Sequence, residues 1–81
     1  MRIEYDRLAC SGWFQCVQKW NEFDMNMIEG KADLANSEDQ GNGVFVREVP
    51  DGEAEMAKAA AESCPAEAIF VYDDDGEQLV P

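Results

Sequence analysis

The chain has no histidine and only six basic residues among 81, against 18 acidic ones, for a net charge of −12. The absence of histidine removes every Ser/His/Asp or Cys/His catalytic arrangement and the most common zinc ligand. The shortage of positive charge argues against nucleic acid or an anionic membrane as a partner. No run of 18 apolar residues is present, so no transmembrane helix is expected. The opening stretch Met1–Asp6 lacks the apolar core of a signal peptide. A glycine-rich phosphate loop is also missing. These absences make the chain poor material for an enzyme and lead to the expectation of a cytoplasmic, monomeric protein.

What remains is a single small domain, residues 1–81, near the size at which a hydrophobic core alone is marginal. Its cysteines, Cys10, Cys16 and Cys64, are the only candidates for a covalent or metal staple. Cys10 and Cys16 stand six residues apart, and Cys64 directly precedes Pro65. In a reducing compartment such thiols bind metal more often than they pair. Bacterial-type cluster proteins space their ligands Cys-x2-Cys-x2-Cys and take a last ligand from a Cys-Pro. On that pattern Cys10 is the first ligand, Trp13 occupies the second place and Cys16 is the third. A site with three thiolates suits a [3Fe–4S] cluster, which implies one-electron transfer. Ala9, Ser11 and Gly12 are small enough to let backbone N–H groups approach the cluster's sulfides. Trp13 and Phe14 could form an apolar lid. Three rival readings stand beside this one: inert core thiols, a three-thiolate zinc site completed by a carboxylate, and a Cys10–Cys16 disulfide that leaves Cys64 unpaired.

The charge is uneven. Residues 1–20 hold three basic and two acidic groups, a net of +1, and the remaining 61 hold three basic and 16 acidic, a net of −13. Acids spread over most of the chain favour a halophilic surface over steering toward one basic partner. At molar salt the screening length falls to about 3 Å, and long-range steering fades.

Periodicity predicts a strand over Arg2–Tyr5, a cysteine-bearing loop, and a short helix over Phe14–Asn21. A strand follows at Phe23–Met27, with Met25 and Met27 expected in the core or at a sheet edge. Residues 29–43 read as an acidic loop or insertion, with a helical turn over Ala32–Ala35. Val44–Val49 is a third strand. Asp51–Ser63 is a helix, capped by Asp51 and packing through Met56, Ala59, Ala60 and Ser63. Ala68–Tyr72 is a strand, Asp73–Gly76 a solvated turn, and residues 73–81 an extended tail with a final strand at Gln78–Val80. Trp20, Phe23 and Phe70 are expected in the core. The order β-α-β-β-α-β fits an α+β two-layer sandwich.

Cys10-Ser-Gly-Trp-Phe-Gln-Cys16-Val17, Phe23 and Ala-Ala-Ala-Glu-Ser-Cys64-Pro65-Ala-Glu-Ala-Ile69 together resemble the single-cluster bacterial-type ferredoxins of the three-iron kind. The resemblance covers residues 1–28 and 44–72. It implies a ferredoxin-like fold and the ligand set Cys10, Cys16 and Cys64. Gly12 and Trp13 would lie beside the cofactor. It also implies a carrier that moves electrons from a reductase to an oxidoreductase such as a haem monooxygenase. Trp13 cannot ligate iron, so conversion to a [4Fe–4S] cluster would need a non-cysteine fourth ligand. An accessory subunit bound to one enzyme and a structural zinc module are the alternative functions.

Overall fold

Strand β1 (Arg2–Asp6) alternates half-buried and buried residues and places Ile3 and Tyr5 on one face. In a computed structural model, which describes residues 1–80, β1 is the centre of a five-stranded antiparallel sheet. Its neighbours are β5 (Val44–Glu48) on one side and β6 (Ile69–Tyr72) on the other. The short β4 (Glu38–Asp39) and β7 (Gln78–Val80) form the edges. In register, Ile3 lies opposite Arg47 and Val71, and Tyr5 opposite Phe45 and Ile69. Directly opposed residues share a face, so one face of the sheet carries the apolar Ile3, Tyr5, Phe45, Ile69 and Val71 with Arg47 among them. Helix α2 (Ala54–Ser63) packs on the sheet beside β6 and β7, and α1 (Gln15–Lys19) lies against α2.

A separate two-stranded hairpin, β2 (Phe23–Asn26) and β3 (Lys31–Leu34), pairs Phe23 with Leu34 and Met25 with Ala32. Phe23 contacts both Tyr5 and Trp20 edge-to-face, with ring centroids 5.4 and 5.9 Å away. These three buried rings fasten the hairpin and α1 to the sheet. Arg47 closes the same corner. Its guanidinium lies 5.0 Å over the Trp20 ring and donates to Glu22 at 2.7 Å and to the Ala35 carbonyl at 3.0 Å.

The α+β class stands, and the strand content exceeds the expectation: the observed order is β-α-β-β-β-β-α-β-β. The helical turn expected over Ala32–Ala35 is instead part of β3. Ala32 and Leu34 alternate with Lys31 and Asp33, and the buried pair turns toward the core. Residues 29–43 therefore hold β3 and β4 rather than loop alone. Residues 51–53 form a 3-10 turn, and the Asp51 side chain makes no capping hydrogen bond. The buried face of α2 is Ala57, Ala60 and Ala61, with Met56 exposed. Phe70 is half-buried, because it points to the sheet face opposite Ile69 and Val71. Met25 and Met27 are exposed on the hairpin. In the turn after β6, Asp73 Oδ1 accepts the Asp75 and Glu77 N–H groups, which holds the chain for β7. Of the expected tail, Pro81 lies outside the described residues. Among the described residues no helix is long and apolar enough to cross a membrane.

Candidate metal centre

Three elements deliver the cysteines. Cys10 follows β1 in a loop, Cys16 sits in the first turn of α1, and Cys64 ends α2. α1 is shorter than the expected Phe14–Asn21, since Phe14 at φ 62 and Trp20 in extended conformation bound it. A phenylalanine in the left-handed region is costly, by roughly 1–2 kcal/mol, and here it turns the chain sharply from the Cys10 loop into the helix. Pro65 stops α2 at Cys64. All three thiols are free, and they line one pocket with Ser11, Trp13, Phe14, Gln15 and Pro65.

The loop that carries Cys10 is held from behind by the hairpin. Lys31 Nζ donates to the Cys10 carbonyl at 2.5 Å and the Leu8 carbonyl at 3.2 Å. Gly12, at φ 75, lies so close to Gly30 that an added Cβ would stand 2.4 Å from the Gly30 carbonyl oxygen. Only glycine fits both that torsion and that approach. The Tyr5 hydroxyl, buried beneath, donates to the Ala32 carbonyl at 2.7 Å. It also lies near enough to the Cys10 sulfur to influence its ionisation.

These neighbours split the thiols electrostatically. Burial pushes the Cys16 thiol up to about 11, and the neighbouring Cys10 and Cys64 sulfurs push the same way. For Cys10, burial also opposes ionisation. The Tyr5 hydroxyl, the Ala32 and Gly12 N–H groups and the Lys31 charge outweigh it, so its thiol falls below the ordinary value. Tyr5 itself is driven well above the usual phenol range by burial and by Cys10.

The structure thus gathers Cys10, Cys16, Cys64 and Trp13 around one pocket and sets Gly12 with its N–H toward Cys10. It adds Tyr5, Lys31 and Ala32, which act across long sequence separations. The strand-like alternation of Lys31–Leu34 was the one signal for the last two. Among the described residues no three Cys, Asp or Glu side chains converge as a single metal ion requires. A cluster spreads its irons, each of which takes its own thiolate, and soft sulfur donors suit it. The residues present fit such a group.

A three-thiol pocket with backbone N–H groups turned toward a sulfur, in a domain this small, defines a small iron–sulfur protein of electron-transfer type. The match to a family model agrees: residues 3–71 match the "4Fe-4S single cluster domain", and the chain belongs to that family. Searches of curated proteins and of solved structures return no match. The family match ends at Val71, before β7.

Proposed function

We propose that this protein is a ferredoxin that carries one electron at a time on a [3Fe–4S] cluster held by Cys10, Cys16 and Cys64. The observation that carries the reading is that these three thiols, the only ones in the chain, line one pocket. When bound, such a cluster supplies reversible one-electron redox chemistry. The Gly12 and Ala32 N–H groups stabilise negative charge on the Cys10 sulfur, and the nearby Tyr5 hydroxyl adds to that when it turns from the Ala32 carbonyl. Trp13 and Phe14 form the apolar wall of the pocket and keep water from the sulfurs. Lys31 fixes the loop by its two carbonyl contacts, so the ligand loop need not reorganise when the charge changes. A reductase would deliver the electron, and an oxidoreductase such as a haem monooxygenase would receive it. The ferredoxin-like topology, a cytoplasmic setting, a monomeric state and a surface adapted to high salt complete the proposal; the last rests on the net charge of −12.

A second reading is favoured by the family's description: a [4Fe–4S] cluster whose fourth iron is held by a non-cysteine ligand. Electron paramagnetic resonance on anaerobically purified protein separates the two, with iron and sulfide measured on the same sample. A signal in the oxidised, as-isolated protein with three irons per chain supports the three-iron site. A signal only on reduction, with four irons, supports the second reading. Zinc without sulfide would overturn both.

A further inference from the structure

The family and the three thiols do not say where an electron leaves the protein. The surface beside the pocket does. Trp13 lines the pocket yet is 65% exposed, and the turn joining β2 to β3 presents Met27 at 73% and Ile28 at 99% exposure, with Met25 at 56% just before it. The tight Gly12–Gly30 contact puts these two loops side by side, since Gly12 adjoins Trp13 and Gly30 lies two residues after Ile28. Four large apolar side chains on adjoining loops next to the thiol pocket are not needed for folding. The buried core takes Phe23, Ala32 and Leu34 from the hairpin together with the sheet, while Met25, on the same face as Phe23 and Ala32, protrudes beyond it at the hairpin's far end. Single exposed apolar residues are ordinary, whereas a cluster of them marks an interaction surface.

The charge around the cluster identifies the partner's chemistry. Segment 22–34 carries Glu22, Asp24, Glu29 and Asp33 against Lys31 alone. The cations at this end point inward: Arg7 pairs with Glu29 at 2.6 Å and Asp33 at 3.0 Å, and Lys31 is bound to the Leu8 and Cys10 carbonyls. With Arg47 paired to Glu22 as well, four acidic groups face three basic ones, and the edge of the apolar cluster keeps an excess of one negative charge. We infer that the Met27–Ile28 hairpin tip, together with Trp13, is the docking surface for a redox protein whose cofactor edge lies in an apolar patch ringed by lysine or arginine. This rests on the proposed electron-transfer function. Apolar contact supplies close approach beside the cysteines, and the small negative excess selects a basic rim through short-range contacts, since long-range steering is screened at high salt.

The test uses the cluster-loaded protein, reduced with dithionite and mixed in stopped flow with a lysine-ringed cytochrome c. Met27→Ser/Ile28→Ser is expected to lower the second-order rate constant about tenfold, the effect of losing a central interface anchor. Iron and sulfide content and the rate of reduction by dithionite should match wild type, because a small reductant needs no docking. Titration of wild type with oxidised cytochrome c should shift the methyl resonances of Met25 and Met27 and leave that of Met56 in place. An unchanged rate constant in the variant, or an equal fall in Met56→Ser/Leu79→Ser, would overturn the inference. So would a wild-type dimer in sedimentation that the hairpin variant dissociates, which would assign the surface to a second copy. Wild-type protein without iron and sulfide would instead sink the electron-transfer reading itself.

Discussion

The close approach of Gly12 to Gly30 provides a sharp test. Gly12→Ala introduces two separable penalties. The torsion at φ 75 costs an L-residue roughly 1–2 kcal/mol. The new methyl would then stand 2.4 Å from the Gly30 carbonyl oxygen, which is part of the backbone and cannot rotate away. One of the two loops must move by about 1 Å, a strain in the range of ~1–3 kcal/mol for overpacking. The sum is about 2–5 kcal/mol, against a total stability of roughly 4–12 kcal/mol for a domain of this length. Gly41→Ala is the internal control. Gly41 has φ 89 but nothing within 4 Å of an added Cβ, so it carries the torsional penalty alone. With a urea slope of about 1 kcal/mol/M for a chain this small, Gly12→Ala should lower the unfolding midpoint by about 2 M or more. Gly41→Ala should lower it by about 1 M. Both are read from far-ultraviolet circular dichroism in samples of matched cluster content, since Trp13 next to the mutated site would distort a fluorescence signal. Equal midpoints for the two variants would refute the steric argument and with it the clamping of the Cys10 loop by the hairpin.

Four further outcomes follow from the same geometry. In protein stripped of metal, Cys16 should alkylate about a hundredfold more slowly than an ordinary thiol at pH 8, since its thiolate forms only toward pH 11. Cys10 should react first, because its thiolate is present at lower pH; peptide mass spectrometry after brief iodoacetamide treatment distinguishes the sites. Tyr5→Phe should cost about 1–2 kcal/mol by leaving the buried Ala32 carbonyl without its donor, and it should slow Cys10 alkylation, both measurable on one preparation. Arg47→Ala should cost about 2–3 kcal/mol in thermal melting by stranding Glu22 and the Ala35 carbonyl, with Arg47→Lys recovering only part. Cys64→Ala should abolish iron retention, and full iron and sulfide content in that variant would remove Cys64 from the proposed ligand set.

Much of this architecture is visible in local sequence. β1 declares itself by alternation, β6 by an unbroken run of apolar strand-formers, and α2 by its alanines and its Pro65 stop. The three cysteines are conspicuous in a chain without histidine. What escaped depends on distant parts of the chain. β3 has four residues in a polar stretch, and its inward pair, Ala32 and Leu34, is apolar only in alternation with Lys31 and Asp33. Its helical propensity is overridden by pairing with β2 and by the Tyr5 hydroxyl bond to Ala32. Met56 was expected inward and is exposed, while Ala57 joins Ala60 and Ala61 on the buried face; contact with β6 and β7 sets that phase, and a helical period alone does not contain it. Lys31 and Tyr5 are unremarkable in sequence and acquire their roles through contacts 21 and 27 residues away along the chain.

The thiols come from opposite ends of the chain, Cys10 and Cys16 before the hairpin and Cys64 after α2. A cluster that joins them ties off a span of about fifty residues, comparable in effect to a cross-link. Closing a loop of that size removes about 4 kcal/mol of conformational freedom from the unfolded chain. The enclosed span includes α1, the hairpin, β4, β5 and α2. Cofactor and fold would then share one fate: oxidative loss of iron would also release the restraint on most of the domain, and unfolding and proteolysis would report redox damage.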